Sequence, residues 1–267
     1  DITINADGTV TLSGSSLQIP TDPGTAIVSG QLETDGGTIG ILGDQIALVG
    51  AAIDASGETG GGSVLIGGDR LGAGSVPNAT ATVIDVTSVV NADSRDRGDG
   101  GTIVAWGNDV LRVEGQLSAQ GGANGGNGGF IETSSLNLLD VRTTPDITAA
   151  NGADGLWLLD PANIRIVAGF TATNVNPINP FDVGPLVTDA ELGVELIRAA
   201  LIEGGNVEVR TTGNTPGDGN ITLEVPLDYD NTGDSSLSLI AAGEIQILAD
   251  IFDSVEIITS IEDPISG

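Results

Sequence analysis

The sequence predicts an all-β fold, a right-handed parallel β-helix (β-solenoid) with one short inserted α-helix. Three observations predict it: repeated strand and glycine-turn units, short strands in which apolar and polar residues alternate, and an unusual composition. There are 41 glycines among 267 residues, and only 3% of the residues are aromatic. Stacked coils of short strands can build a core from Ile, Val and Leu without large aromatic anchors.

The clearest repeat pairs residues 36–66 with residues 100–131. Both stretches begin Gly-Gly-Thr-Ile, continue through an apolar strand to a glycine followed by Asp44 or Asn108, and then reach an apolar-x-Ala step. A glycine-rich turn leads into a new strand, and a shorter third copy spans 147–159. Such repeats indicate stacked units that cover one another's apolar faces. The glycines and asparagines are expected at corners that need a positive φ.

Between the turns, apolar residues alternate with Thr, Ser, Asn and Asp over three to six positions, as at 8–12 and 220–225. This period of two is typical of a strand with one buried face. An antiparallel sandwich would show the same alternation and is the alternative fold. Glycine-turn repeats interrupted by insertions favour the solenoid.

One segment departs from the strand pattern. Thr188 and Glu191 have the spacing of a capping box, and a Gly-Gly stop follows at 204–205. The apolar residues between them have helical spacing; they are Leu192, Leu196, Ala199 and Ala200. We therefore expect a main stack at 1–167, a proline-rich loop and helix insertion at 168–204, and continuing coils at 205–267.

Charge limits the possible partners. Eight basic residues stand against 37 acidic ones, which gives a formal net charge of −29. Such a surface repels phosphate backbones and anionic lipids, so we expect no nucleic acid partner. No apolar run approaches the roughly 20 residues of a membrane span, so we expect no membrane insertion. The chain begins at Asp1 rather than Met, which suggests an excised or processed segment whose targeting signal lies upstream.

The residue types available make catalysis unpromising. The chain has no His, Lys or Cys, and these residues supply most general acid–base and nucleophilic groups. We therefore predict that the protein is not an enzyme and has no catalytic or cofactor-binding residues. Carboxylates remain, so a carbohydrate-active β-helix enzyme is the alternative.

Calcium is the one candidate cofactor. Asp228, Asp230 and Asp234 partly match the spacing of a calcium-binding loop. Hard cations prefer clustered carboxylate oxygens, so this match suggests calcium. Thr232 and Leu239 occupy positions where that loop would supply further ligands. A calcium-dependent carbohydrate-binding module is thus a further alternative function.

Several stretches together resemble a known family. Residues 36–69 contain Gly-Gly-Thr-Ile, Ile-Asp-Ala-Ser-Gly and Gly-Gly-Ser-Val-Leu-Ile-Gly-Gly-Asp, and a related motif spans 98–106. With Leu-Trp-Leu-Leu-Asp-Pro-Ala-Asn-Ile at 156–164 and the helix-then-strand segment at 187–251, they resemble the coils of filamentous-haemagglutinin-like exoproteins of two-partner secretion systems. The resemblance implies an adhesive or fibre-forming role at the bacterial cell surface or outside the cell, and export through an outer-membrane transporter partner. The Asn-Pro-Asn-Gly-like motif of the secretion domain is not matched, which indicates the shaft of such a protein.

The two ends of the sequence are complementary. Chain-final Ser266-Gly267 followed by residues 1–5 would read as one more strand. Open β-helix ends expose unpaired backbone and apolar residues. We therefore predict that the ends continue into more chain or stack end to end into fibres.

Overall fold

The structure is a computed structural model. It describes residues 24–169, 181, 190–211, 218–229 and 234–252 in full, and only the strand backbone at 2–4, 10–12 and 257–261. The predicted proline-rich loop at 174–185, apart from Phe181, lies outside the described residues, as does the predicted helix cap Thr188.

The described backbone contains short strands, one α-helix and one 3-10 turn. The strands in chain order are β1 (Ile2–Ile4), β2 (Val10–Leu12), β3 (Thr25–Val28), β4 (Gln31–Glu33), β5 (Thr38–Ile41), β6 (Gln45–Leu48), β7 (Ala52–Asp54), β8 (Ser63–Ile66), β9 (Ala81–Ile84), β10 (Val89–Asn91), β11 (Thr102–Gly107), β12 (Val110–Val113), β13 (Gln116–Ser118), β14 (Phe130–Ser135), β15 (Leu138–Val141), β16 (Leu156–Pro161), β17 (Ile164–Val167), β18 (Ala190–Gly193), β19 (Asn206–Thr211), β20 (Ile221–Leu223), β21 (Leu227–Asp228), β22 (Leu237–Ala241), β23 (Ile245–Ile247), β24 (Ile251–Phe252) and β25 (Ile257–Ile261). Helix α1 is Val194–Ile202, and the 3-10 turn is Arg70–Gly72.

These strands form five sheets. The first has ten strands in the order β2-β1-β5-β8-β11-β14-β16-β19-β22-β25. The second is β3-β6-β9-β12-β15, the third β4-β7-β10-β13, the fourth β18-β17-β20-β23 and the fifth β21-β24. Every pairing is parallel except that of β1 with β2. The predicted all-β, parallel architecture is confirmed, and an antiparallel sandwich is excluded for these sheets.

The chain visits the sheets in rotation. After β11 in the first sheet come β12 in the second and β13 in the third, and β14 then returns to pair with β11. In the chain order, helix α1 follows β18 and precedes β19, the place that a third-sheet strand takes between β12 and β14. Parallel strands need such crossovers, because a tight hairpin can join only antiparallel strands.

The core is a column of aligned side chains. Seven residues of the first sheet lie in register across seven consecutive strands, each at most 1% exposed: Ile39, Val64, Ile103, Ile131, Trp157, Val207 and Leu237. They belong to one continuous apolar cluster that runs from Ala26 to Ala241. Burial of this continuous column stabilises the stack, at about 25 cal/mol for each Å² of apolar surface removed from water.

A second column consists of glycines, and its cause differs from the one predicted. The glycine column is Gly37, Gly62, Gly101, Gly129 and Gly155, each directly before a strand of the first sheet. From Gly62 onward, a Cβ at each would lie 2.0–2.1 Å from the carbonyl oxygen of the preceding glycine in the column. The prediction of positive φ holds for other glycines, such as Gly36 and Gly98. For the glycine column it is wrong, and close backbone approach is the reason. No described asparagine has a positive φ.

The helix begins later than the capping box predicted. Residues 190–193 form strand β18, which pairs with β17, and α1 starts only at Val194 with Gly193 as its N-cap. Ladder hydrogen bonds to β17 satisfy the backbone of this stretch, and Glu191 lies opposite Arg165 in the ladder. The buried face of α1 is accordingly shifted from the predicted one and consists of Val194, Ile197, Ala200 and Leu201. The predicted stop is confirmed, because α1 ends at Ile202, just before Gly204 with φ +105.

The division of the chain at 168 and 204 stays a prediction.

Among the described residues, no helix has the length and apolar character needed to cross a bilayer.

Candidate functional site

Polar side chains are aligned where the third sheet ends. Asp54, Asn91 and Ser118 lie in register on β7, β10 and β13, and Asp146 bridges to Ser118. The side chains of Asp54, Asn91 and Asp146 each accept a hydrogen bond from the backbone N–H two residues later, at 2.8, 2.7 and 3.1 Å. Asx turns thus follow β7 and β10 and recur at Asp146, whereas after β13 the Gln120 N–H donates to Asp93. They therefore repeat one corner along the stack.

A groove of about 490 Å³ lies along this corner. Three carboxylates line it, those of Asp93, Asp154 and Glu203, together with Arg95 and Gln120. It is a polar concavity lined by described residues, so we take it as the candidate functional site. None of its described lining residues is aromatic.

The local turns already use the groove carboxylates. Asp93 accepts hydrogen bonds from the Ser118 hydroxyl and the Gln120 N–H, both at 2.6 Å, and Asp154 accepts one from Ala149 N–H. Burial raises the pKa of Asp93, and repulsion from Asp146 adds to this, while the hydrogen bonds from Ser118 and Gln120 act in the opposite direction. Asp93 therefore holds its proton more readily than an ordinary aspartate.

Arg95 at one end of the groove ties neighbouring coils together. Its guanidinium donates to the Ser56 hydroxyl at 2.9 Å and to Asp35 at 2.6 Å, and lies 3.5 Å from Glu58. Nearby, Ser94 is 4% exposed, and its hydroxyl has no hydrogen-bond partner among the described atoms. The guanidinium thus supports the corner rather than pointing freely into the groove.

The predicted calcium residues lie elsewhere. Asp228, at the end of β21, and Asp234 are both exposed, and the carbonyl oxygen of Asp228 accepts a hydrogen bond from Arg198. Asp230 lies outside the described residues, so the loop cannot be assembled from described atoms and the calcium site stays a prediction. Within the described ranges, no group of three or more acidic residues is placed to hold a metal ion.

A buried ion network was missed by sequence reasoning. Arg112 on β12 donates through Nε and Nη2 to one oxygen of Asp140 on β15, at 2.8 and 2.5 Å, and Arg142 donates to the other at 2.9 Å. Burial alone would raise the pKa of Asp140, but the hydrogen bonds and charges of Arg142 and Arg112 hold it below its usual value. The signal was present, since Arg112 and Asp140 occupy equivalent positions in consecutive repeats.

No protein-family profile and no curated protein matches this chain. The resemblance to filamentous-haemagglutinin-like exoproteins therefore stays a prediction.

Proposed function

We propose that this chain is a structural and adhesive shaft segment of a secreted bacterial surface or fibre-forming exoprotein, wound as a right-handed parallel β-helix. One observation carries the proposal: strands of the first sheet pair in parallel and in chain order from β5 to β25, around one continuous apolar cluster. Such an arrangement can be lengthened without limit, which suits a shaft. Export through an outer-membrane transporter is part of the same proposal and rests on the sequence resemblance.

The rotation of the chain through the sheets supports the winding. Each crossover from one strand of the first sheet to the next passes through the second or fourth sheet, and most pass through the third sheet or helix α1 as well. Parallel crossovers are right-handed in nearly all proteins, because twisted strands pack back onto the sheet only that way. The same rule favours the right-handed coil here.

The polar side chains support a structural role. The carboxylates of Asp93 and Asp140 bind a backbone N–H group, a hydroxyl or an arginine of a neighbouring coil, and that of Asp154 binds a backbone N–H group of its own coil. A net charge of −29 keeps such a surface soluble and repels nucleic acid and anionic membranes.

End-to-end association is supported by the last fully described coil. Ile247, Leu248 and Phe252 on and beside β23 and β24 are 44%, 66% and 51% exposed. Apolar side chains and strand edges at the end of a stack favour addition of another coil. We therefore propose that further chain or a second copy continues the stack there.

Electron microscopy and sedimentation of the purified chain test the proposal. We expect rods whose long axis shows the strand spacing of about 4.8 Å in fibre diffraction, and filaments that grow with concentration. Leu248→Asp should shorten the filaments, whereas Val86→Asp, which changes a side chain 69% exposed on the side of the stack, should not. Compact particles without the axial spacing would overturn the shaft, and equal filament lengths for the two variants would overturn end stacking.

The groove favours carbohydrate binding or hydrolysis as the second candidate, because three carboxylates are among its lining residues. Retaining glycosidases place two carboxyl groups about 5 Å apart, and inverting ones place them further apart. Incubating the chain with bacterial and plant polysaccharides tests this, with Asp154→Asn as the groove variant. New reducing ends or glycan binding lost in Asp154→Asn would support the candidate, and neither effect in the wild type would remove it.

A further inference from the structure

The outer face of the first sheet is shielded from solvent around β11 and β14. Val104, Trp106, Glu132 and Leu158 alternate with the core column and so point away from it, yet each is at most 1% exposed. Val104, Glu132 and Leu158 lie in register on three adjacent strands. The carboxyl of Glu132 is therefore flanked by two apolar side chains and shielded from water.

Residues 67–79, the cover loop, lie over this face. The two ends of the loop are joined by a hydrogen bond from Ala79 N–H to the Gly67 carbonyl at 2.7 Å. A Cβ at Gly68 or Gly72 would lie 2.7 or 2.3 Å from the Trp106 side chain. A compact loop with adjoining ends can move as a unit while the coil beneath it stays intact.

Glu132 makes the hydrogen bonds that join the centre of this loop to the sheet. Its two carboxyl oxygens lie 2.9 and 3.1 Å from Leu71 N, which donates to them. Leu71 has φ 58, and it is the one described non-glycine residue in the left-handed region. A bulky L-residue avoids this conformation, so contacts such as the one with Glu132 must hold it there.

We propose that the cover loop is a proton-controlled lid: it lies closed over Glu132 while this buried side chain is neutral, and it opens over Trp106 and admits water when Glu132 loses its proton. Such a lid would act on this face of the first sheet whether or not the chain is part of a shaft.

The charges around Glu132 set the pH at which it ionises. Burial raises its pKa to about 7, while the Leu71 N–H, Ser134 and the charge of Arg70 act to lower it and Asp69 raises it. Arg70 is exposed and lies 4.4 Å above the Phe130 ring, so water screens its charge. Asp160 on β16 lies one diagonal position away and adds a further acid to the same face.

The sign of the effect follows from linkage. The pKa of Glu132 is about 7 with the lid closed and near its ordinary 4.5 when the side chain is in water. The closed lid is therefore fully stabilised below pH 4.5 and loses stability as the pH rises from 4.5 through 7. Above pH 7 the opening equilibrium constant should be on the order of 100-fold larger than at pH 4.5.

Hydrogen exchange of the full chain tests the lid. We expect the protection of amides in 67–79, corrected for the intrinsic effect of pH on exchange, to fall on the order of 100-fold between pH 4.5 and pH 8. The protection of amides in α1 should stay constant in the same spectra. Acrylamide should quench the fluorescence of Trp106 more strongly as the pH rises over the same range, with a Trp106→Phe variant used to subtract the signal of Trp157.

Glu132→Gln is the deciding variant, since an amide cannot ionise, and Glu208→Gln is its control. Glu208 occupies the equivalent register position on β19, next to Leu158. Glu132→Gln should make the protection of 67–79 independent of pH, and Glu208→Gln should leave the wild-type profile. The proposal is overturned if, in the wild type, the protection of amides in 67–79 is as constant between pH 4.5 and pH 8 as the protection of amides in α1. It is also overturned if the protection of 67–79 in Glu132→Gln still depends on pH. The wild-type comparison with α1 decides the matter even if Glu132→Gln does not fold.

Discussion

Replacing Gly129 by alanine tests whether close backbone approach sets the glycine column. The new Cβ would lie 2.1 Å from the Gly101 carbonyl oxygen, 2.7 Å from the Gly100 carbonyl carbon and 2.9 Å from Ala119 Cβ. Two of these three atoms belong to the backbone, so rotation of a side chain cannot relieve the clash. The coils must separate instead, which stretches the 2.9 Å hydrogen bond from Phe130 N–H to Gly101.

The magnitude follows from these contacts. Overpacking costs about 1–3 kcal/mol and a weakened backbone hydrogen bond about 1 kcal/mol. Alanine also lowers the conformational entropy of the unfolded chain, which stabilises the fold by about 0.4–1 kcal/mol. We therefore expect Gly129→Ala to lower the free energy of unfolding by about 2–3 kcal/mol, which is a fall in Tm of about 5–10 °C for a chain of this size.

Thermal unfolding followed by circular dichroism measures this shift, with Gly30→Ala as the matched control. A Cβ at Gly30 meets nothing within 4 Å, and its φ is not in the left-handed region. Gly30→Ala should leave Tm unchanged or raise it slightly. The reasoning fails if Gly129→Ala melts with the wild type, or if both variants lose stability equally.

Four other outcomes are expected. Ile131→Ala, in the middle of the core column, should lower the free energy of unfolding by about 2–5 kcal/mol in a urea titration, and a loss below about 1 kcal/mol would argue against a packed column. Arg112→Met, which removes a buried partner of Asp140, should cost about 3 kcal/mol, while Arg165→Met, at a side chain 39% exposed, should cost at most about 1 kcal/mol; equal losses would contradict the burial difference. Because the pKa of Asp140 is lowered, the ionised carboxylate adds to the free energy of unfolding above pH 3.8, and this stabilisation is lost as the pH falls below that value. In Arg112→Met the free energy of unfolding should therefore fall less steeply with acid than in the wild type. Calcium should raise the Tm of the wild type but not of Asp228→Asn, and identical melting with and without a chelator would remove the calcium site.

Repetition explains what the sequence could predict. Alternating apolar residues placed Ile103 and Ile131 on the same inner face, because equivalent positions in two repeats must stack. The same logic applied to polar residues would have paired Arg112 with Asp140. The role of the glycine column was not visible, since a sequence shows where glycine occurs but not whether φ or a neighbouring backbone requires it.

Contacts that skip a repeat could not be predicted. Leu71 and Glu132 are 61 residues apart and belong to different coils with a third between them. No periodic pattern links a loop to a strand two coils further on. The start of α1 was also misjudged, because local capping preferences favoured a helix at 190–193 where pairing with β17 stabilises a strand. Tertiary contacts overrode local signals in both cases.

The parallel register of the first sheet has a consequence for how such a chain can change length. Because Gly101 and Gly129 precede equivalent strands, excising the 28 residues 102–129 would join Gly101 directly to Phe130 and shorten the stack by one strand spacing, about 4.8 Å. Whole coils are therefore natural units of gene duplication and loss. The cover loop makes this stretch an exception: it spans β11 to reach Glu132 on β14, so removing the intervening coil would misplace its hydrogen-bond acceptor. The contact of Leu71 with Glu132 thus fixes the number of strands between β8 and β14.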